Sequence, residues 1–191
     1  MNQDMLNEIR KAADVLRKGG IILYPTDTIW GIGCDATNPD AVEKIYKLKN
    51  RPGQKSMIIL LDVEGRLNSY VKEIPEQAFD LIEVSDKPLT IIYDGAKNLA
   101  PNLIAEDGSI AIRITGDDFC KNLIGRTGKP LVSTSANLSG QPSPASFHDI
   151  DPEIVNGVDY VVNWRQEERN NGKASSIIRI RRGGLFEIIR K

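Results

Sequence analysis

The sequence predicts one α/β domain, residues 1–191, built on a twisted sheet of mixed parallel and antiparallel strands with helices on its faces. Three observations carry that prediction. Short β-favouring runs alternate with segments of helical hydrophobic spacing. Some neighbouring runs are close enough for a hairpin, whereas others are linked by helices. No composition break, internal repeat or low-complexity tract divides the chain. A length of 191 residues, 40% of them hydrophobic and 27% charged, suits one soluble domain with a sizeable core.

Taken in order, Met5, Ile9, Ala12, Ala13 and Leu16 recur at helical spacing over residues 5–18, and Gly19-Gly20 stops that helix. Ile21 to Tyr24 is a buried strand that leaves the sheet at Pro25; Ile29 to Cys34 is the next apolar stretch. Asn38 and Pro39 read as an N-cap and first helical residue, with Val42, Ile45, Tyr46 and Leu48 as the buried stripe. The unbroken apolar run Met57 to Leu61 predicts a central strand. Ala78, Phe79 and Ile82 predict a helix over 75–83. Leu89 to Tyr93 and Ile110 to Ile114 are strands, and Arg113 is expected where the second meets its exit loop. Phe119, Leu123 and Ile124 mark a helix near 117–126. Leu131 and Val132 open a strand that runs into Ser133-Thr134-Ser135-Ala136-Asn137. Val158 to Val162 adds a strand. Ser176 to Ile180 and Leu185 to Ile189, joined by Arg182-Gly183-Gly184, read as a hairpin.

Composition excludes several classes. No apolar run approaches the length that crosses a bilayer, and no basic segment followed by an apolar stretch stands near the start, so neither a span nor a secretory signal is expected. Cys34 and Cys120 cannot build a disulfide framework or, alone, a zinc site; no protein-held metal site is expected, and a reducing, cytoplasmic setting is. A net charge of -1 argues against a protein that coats nucleic acid through bulk charge. The charge is uneven, however. Lys44, Lys47, Lys49, Arg51 and Lys55 follow one another with no acid between them, and Arg179, Arg181 and Arg182 cluster near the C-terminus. Each cluster reads as a solvated face or as an anion seat.

Chemistry concentrates in three polar segments at expected strand or helix ends, where open α/β sheets usually bind ligands. They are Tyr24-Pro25-Thr26-Asp27-Thr28-Ile29-Trp30-Gly31, Lys49-Asn50-Arg51-Pro52, and Ser133-Thr134-Ser135-Ala136-Asn137-Leu138-Ser139-Gly140. None is a P-loop or a Gly-x-Gly-x-x-Gly turn. Lys49 and Arg51, one residue apart on an extended segment past a helix, would point to the same side and offer an ammonium and a guanidinium fork to a triphosphate or carboxylate. Both are expected to be exposed. Ser135 and Asn137 repeat the spacing with neutral groups suited to a phosphate, ribose or base edge. The same segment also reads as a capped turn ahead of a helix. Tyr24 and Trp30 are either pocket lining or core. Cys34 and Cys120 read as packing, His148 as a surface residue, and the stretch from Trp164 to Lys173 as a surface loop or a lid.

In combination, Tyr-Pro-Thr-Asp-Thr with Trp-Gly, Lys-x-Arg-Pro about twenty residues on, and Ser-Thr-Ser-Ala-Asn-x-Ser-Gly resemble the YrdC family of threonylcarbamoyl-AMP synthases. The likeness runs from about Ile9 to the C-terminal hairpin and is similar to the short, single-domain form. It implies a YrdC-like fold with a concave basic cleft. It implies a nucleotidyltransferase that makes threonylcarbamoyl-AMP and pyrophosphate from L-threonine, bicarbonate and ATP, for threonylcarbamoyladenosine modification of tRNA. By the same likeness Lys49, Arg51, Ser135 and Asn137 form the catalytic set. ATP would meet those four together with Lys55, Ser133, Ser176 and Arg182. Threonine would meet Thr26 and Arg113, and Mg2+ would arrive with the nucleotide. Downstream tRNA-modifying proteins are the implied partners. Two departures stand out: Val84-Ser85-Asp86-Lys87-Pro88 replaces a Trp-Pro-Gly-Pro, and Ile58-Ile59-Leu60 replaces a strand that carries histidine in many relatives. The threonine contact of that histidine is then absent or replaced. Two other readings compete: a double-stranded RNA or tRNA binder of this fold without the activity, and a paralogue with another substrate.

Overall fold

Asn2 caps the first helix, α1 (Gln3–Arg17), its side chain accepting the Asp4 N–H at 2.8 Å. The computed structural model describes residues 2–50, 57–169, 173–181 and 184–191. After α1 come β1 (Ile22–Tyr24), β2 (Gly31–Gly33), α2 (Pro39–Leu48), β3 (Ile58–Leu61), α3 (Leu67–Tyr70), α4 (Glu76–Glu83), β4 (Leu89–Tyr93) and β5 (Ile110–Ile114). Then follow α5 (Asp118–Thr127), β6 (Leu131–Ser135), α6 (Pro152–Gly157), β7 (Tyr160–Val161), β8 (Ser176–Ile180) and β9 (Phe186–Arg190). Asn38 caps α2 as expected, accepting from the Asp40 and Ala41 N–H groups.

Three elements differ from the sequence expectation. The strand expected over 158–162 is only two residues long, because the Asp159 carboxylate, not a ladder carbonyl, takes the Ile21 N–H at 2.8 Å. Helix α3, four residues long, is too short to leave a periodic pattern. Helix α6 was not anticipated, although Asp151-Pro152 carries the same start signal as Asn38-Pro39.

Among the described residues, nine strands form one sheet in the order β7-β1-β2-β6-β3-β5-β4-β8-β9. The β1/β7, β3/β5 and β4/β8 pairs are parallel, and the other pairs are antiparallel. β3 lies at the centre and β8/β9 form the hairpin, as the sequence predicts. Gly33 is where β2 meets β6 most closely: a Cβ there would stand 2.5 Å from the Val132 carbonyl oxygen.

Strand alternation sorts the side chains onto two faces. Ile59, Leu61, Ile91, Tyr93, Ile110 and Ile112 enter one core with Val42 and Ile45 of α2 and Ala78 of α4. Ile22, Tyr24 and Leu60 enter the other, beneath Met5, Ile9 and Leu16 of α1 and Phe119, Leu123 and Ile124 of α5. Each such side chain contributes about 1.5–3 kcal/mol when fully buried. Trp30 and Tyr24 resolve as core: both are buried, and Trp30 packs on Phe147 with ring centroids 5.0 Å apart. Burial pushes the thiols of Cys34 and Cys120 up, which leaves them inert and makes packing their role.

The second face changes character along the sheet. Leu60 pairs in register with Arg113, and Arg113 with Thr90, so the row that is apolar under α1 and α5 turns polar beyond them.

Candidate functional site

β5 reads Ile110-Ala111-Ile112-Arg113-Ile114. Ile110 and Ile112 go to the first core, and alternation therefore sends Arg113 to the opposite face. It sits within the strand, paired on both sides, and not at an exit loop as the sequence suggested. On that face a cavity of about 220 Å³ is lined by Thr28, Gly31, Met57, Ile58, Arg113, Ser133, Ser135, Ser143, Ser175 and Arg190, among others. Its floor is the sheet face itself, spanning β2, β6, β3, β5, β8 and β9. An outer hollow of about 730 Å³ shares Thr28, Ala174 and Arg190 with it. That hollow carries Lys87, Arg169, Lys173, Arg190 and Lys191 against one acid, Asp27, and also holds Ser176. Lys87 comes from the segment that replaces Trp-Pro-Gly-Pro.

Arg113 is 2% exposed. Its Nη2 lies 3.0 Å from Asp27 Oδ1, and its Nη1 donates to Thr28 Oγ1 at 3.2 Å. Asp27 is held by its other oxygen, Oδ2, which accepts from the Gly116 N–H at 3.0 Å and from Thr115 Oγ1 at 3.2 Å. The Thr26 hydroxyl turns inward. It accepts the N–H groups of Thr28 and Ile29 and donates to the Ile29 carbonyl at 2.7 Å, which fixes the turn that presents Thr28. A Cβ at Gly31 would meet Ser133 Oγ at 3.3 Å and Thr26 Cγ2 at 3.5 Å, so the glycine lets both side chains close on the floor.

Lys49 corrects the sequence expectation. It is 1% exposed, and its ammonium donates to the backbone carbonyls of Ser135 and Asn137. Lys49 closes α2 in the right-handed helical region and Asn50 follows at φ +49°, so neither residue has the extended geometry assumed for that segment. The helix end aims the lysine beneath the β6 exit loop. Asn137 lies in that loop and donates to the carbonyls of Leu138 and Gln141 at 2.8 Å each, while its Oδ1 is buried without a partner among the described residues. Thus Lys49, Ser135 and Asn137 come together, with Ser133 and Ser135 facing the cavity and Lys49 beneath it. Arg51, Lys55 and Arg182 lie outside the described residues.

Sequence reasoning missed Arg190, Ser143, Ser175 and Arg165. Arg190 ends β9 and reaches across to the Ser175 carbonyl, with Nη2 at 2.8 Å and Nε at 3.0 Å, while lining both hollows. Burial lowers the pKa of its guanidinium, and the charge of Arg113 lowers it further. Two arginines facing one hollow favour an anion between them. The available signal was a basic pair, Arg190-Lys191, closing the last strand. Arg165, at φ +56°, bonds Asp117 Oδ2 at 2.8 Å and the Thr26 carbonyl at 3.0 Å, tying the 163–169 segment to the turn. Nothing in its sequence context announces that.

With the geometry in place, three comparisons are informative. A profile of the Sua5/YciO/YrdC family, described as telomere recombination, matches residues 14–191. The chain is 37% identical over 158 residues to the threonylcarbamoyl-AMP synthase of Pseudoalteromonas translucida (strain TAC 125), covering 81% of this chain and 84% of that one. It is 34% identical over 183 residues to the protein of that name from Stutzerimonas stutzeri (strain A1501), covering 95% and 96%. The crystal structure of P. abyssi Sua5 complexed with L-threonine superposes with a TM-score of 0.83 at 27% identity over 93% of this chain, which spans 52% of that longer chain.

Proposed function

The chain belongs to the Sua5/YciO/YrdC family, and from that premise we propose that it is a nucleotidyltransferase that makes threonylcarbamoyl-AMP and pyrophosphate from L-threonine, bicarbonate and ATP. The observation that carries this reading is a single cavity in which a buried guanidinium, Arg113, adjoins a floor of serine hydroxyls and a basic outer hollow. A guanidinium fork suits an amino-acid carboxylate. Hydroxyls suit ribose and phosphate oxygens without adding charge.

Arg113 holds the threonine carboxylate, and the Thr26 turn presents Thr28 beside it. Ser133, Ser135, Ser143 and Ser176 receive the nucleotide, with Arg190 on its phosphates; a nucleotide-binding role for Arg51, Lys55 and Arg182, outside the described residues, rests on the family resemblance alone. The Lys and Arg residues of the outer hollow support reading it as the basic cleft that the resemblance implies. Lys49 and Asn137 act from below, shaping the loop that carries Ser135. Met57 and Ile58 give the cavity an apolar wall.

The threonine amine attacks bicarbonate or its carbon dioxide to give a carbamate, releasing water when bicarbonate is the donor. A carbamate oxygen then attacks the α-phosphorus of ATP and pyrophosphate leaves. No side chain becomes covalently bound; catalysis is positioning plus neutralisation of phosphate charge. ATP enters as its magnesium complex, a substrate. Mg2+ commonly keeps several waters and binds through substrate phosphates, and the hydroxyl donors of the cavity fit that arrangement better than they fit a resident metal. Among the described residues no group of three His, Cys, Asp or Glu side chains could hold an ion.

We take residues 1–191 as one domain, since one sheet runs unbroken through the described strands. Among the described residues no helix is long and apolar enough to cross a membrane. A cytoplasmic enzyme that hands its labile product to tRNA-modifying proteins fits this picture. Pyrophosphate release from ATP, measured against added threonine and bicarbonate, tests the reading. Release should require both. Release that ignores threonine would remove the proposal in favour of another substrate, and salt-sensitive RNA binding with no release would favour the RNA-binding module.

A further inference from the structure

Arg113 does not stand alone, and its partner has no assigned task. A lone guanidinium buried to 2% exposure would hold any small carboxylate that reached it. Here Asp27 Oδ1 lies 3.0 Å from Nη2. The pair is close but not well aligned: both Asp27 Oδ1 and Arg113 Nε are buried and lack a hydrogen-bond partner among the described residues. Asp27 is locked in place through Oδ2 by the Gly116 N–H and Thr115 Oγ1, so its charge stays beside the arginine whatever enters the cavity. The Arg165 bond to the Thr26 carbonyl fixes the same turn from the other side.

Charge balance then sets what the pocket accepts. Asp27 offsets the charge of Arg113, and Arg190 adds a second cation to the same cavity. A simple carboxylate brought against Arg113 comes to lie beside the fixed charge of Asp27, and like charges so placed repel, which lowers what Arg113 contributes to holding it. An α-amino acid brings a cation with its anion. Its carboxylate meets the arginine while its amino group meets the field of Asp27, giving two opposed ion pairs.

We propose that Asp27 is a specificity-determining residue, which makes the Arg113 pocket select α-amino acids and reject carboxylates of the same shape that lack the amine. The inference rests on the threonine reading above and deepens it. It assigns Asp27 no proton transfer.

The test uses 3-hydroxybutyrate, which is threonine without its amine, as a competitor of threonine-dependent pyrophosphate release. In the unaltered protein its Ki should exceed the KM for threonine by at least about tenfold. In Asp27→Asn the KM for threonine should rise and the Ki for 3-hydroxybutyrate should fall, so that their ratio shrinks about tenfold or more. Asparagine keeps an acceptor oxygen for Gly116 and Thr115, and Asp27→Glu, which keeps the charge, should retain most of the discrimination. A ratio that stays constant when both constants move together reports a structural role only and overturns the inference. A starting protein whose Ki is equal to or below its KM overturns it without any variant. Failure of the underlying reading looks different, because pyrophosphate release would then not depend on threonine at all.

Discussion

At the residue scale, Lys49 shows how a motif can be read correctly for its place and wrongly for its exposure. Its spacing from Arg51 suggested a mobile cation facing solvent. The structure uses its ammonium to bind the carbonyls of Ser135 and Asn137 beneath the loop that carries Ser135. Lys49→Ala leaves those carbonyls short of a donor and opens a void, so it should lower stability by about 2–4 kcal/mol as well as activity. Denaturant midpoints beside turnover measurements check this; an unchanged midpoint would return Lys49 to the surface. Arg190 is the converse case, invisible as a motif yet facing both hollows. Arg190→Ala should remove about 2–4 kcal/mol of transition-state stabilisation, read as kcat/KM for ATP, while Arg190→Lys recovers part of it. Side-chain type was legible in both positions. Direction was not, because it depends on the helix end at Lys49 and on the register of β9.

At the element scale, α1 is tied to β7 by one buried carboxylate. Glu8 accepts from Tyr160 Oη at 2.5 Å, the Asn163 N–H at 2.7 Å and Lys11 Nζ at 2.9 Å. Burial pushes its pKa up, but these hydrogen bonds outweigh it and hold the carboxyl below its ordinary value. A depressed folded-state value stabilises above the unfolded one and loses that contribution as pH falls through the folded one. The loss therefore sets in below about pH 4.3. Glu8→Gln should cost about 1–2 kcal/mol at neutral pH and progressively less at an acid pH, as the native carboxyl protonates through its depressed folded-state value. Denaturant midpoints at the two pH values decide, and a constant gap would place the stabilisation elsewhere. Helix caps and hydrophobic stripes made α1, α2, α4 and α5 readable in the sequence. α3 was too short to show a period, and β7 was shortened by a side chain 138 residues away from its partner amide.

At the scale of the whole molecule, substrate binds to a folded face that the unfolded chain lacks. ATP at about 100 times its dissociation constant should add about 2.7 kcal/mol of stability. For a chain of this size that raises Tm by roughly 5–11 °C. Thermal scans with and without ATP check it, and an unmoved transition would mean that the cavity does not hold the nucleotide. The sequence by itself determined the mixed sheet, its central strand, the closing hairpin and the family, because alternation, caps and short polar motifs are local. It also named Arg113, Ser133 and Ser135. Only the tertiary structure decided that α1 and α5 cover half of one sheet face and leave the polar half open, that Asp27 stands against Arg113, and that Arg190 joins them. Those facts arise from pairing between strands far apart in the chain, where register and crossover place side chains and no local pattern of residues encodes the result.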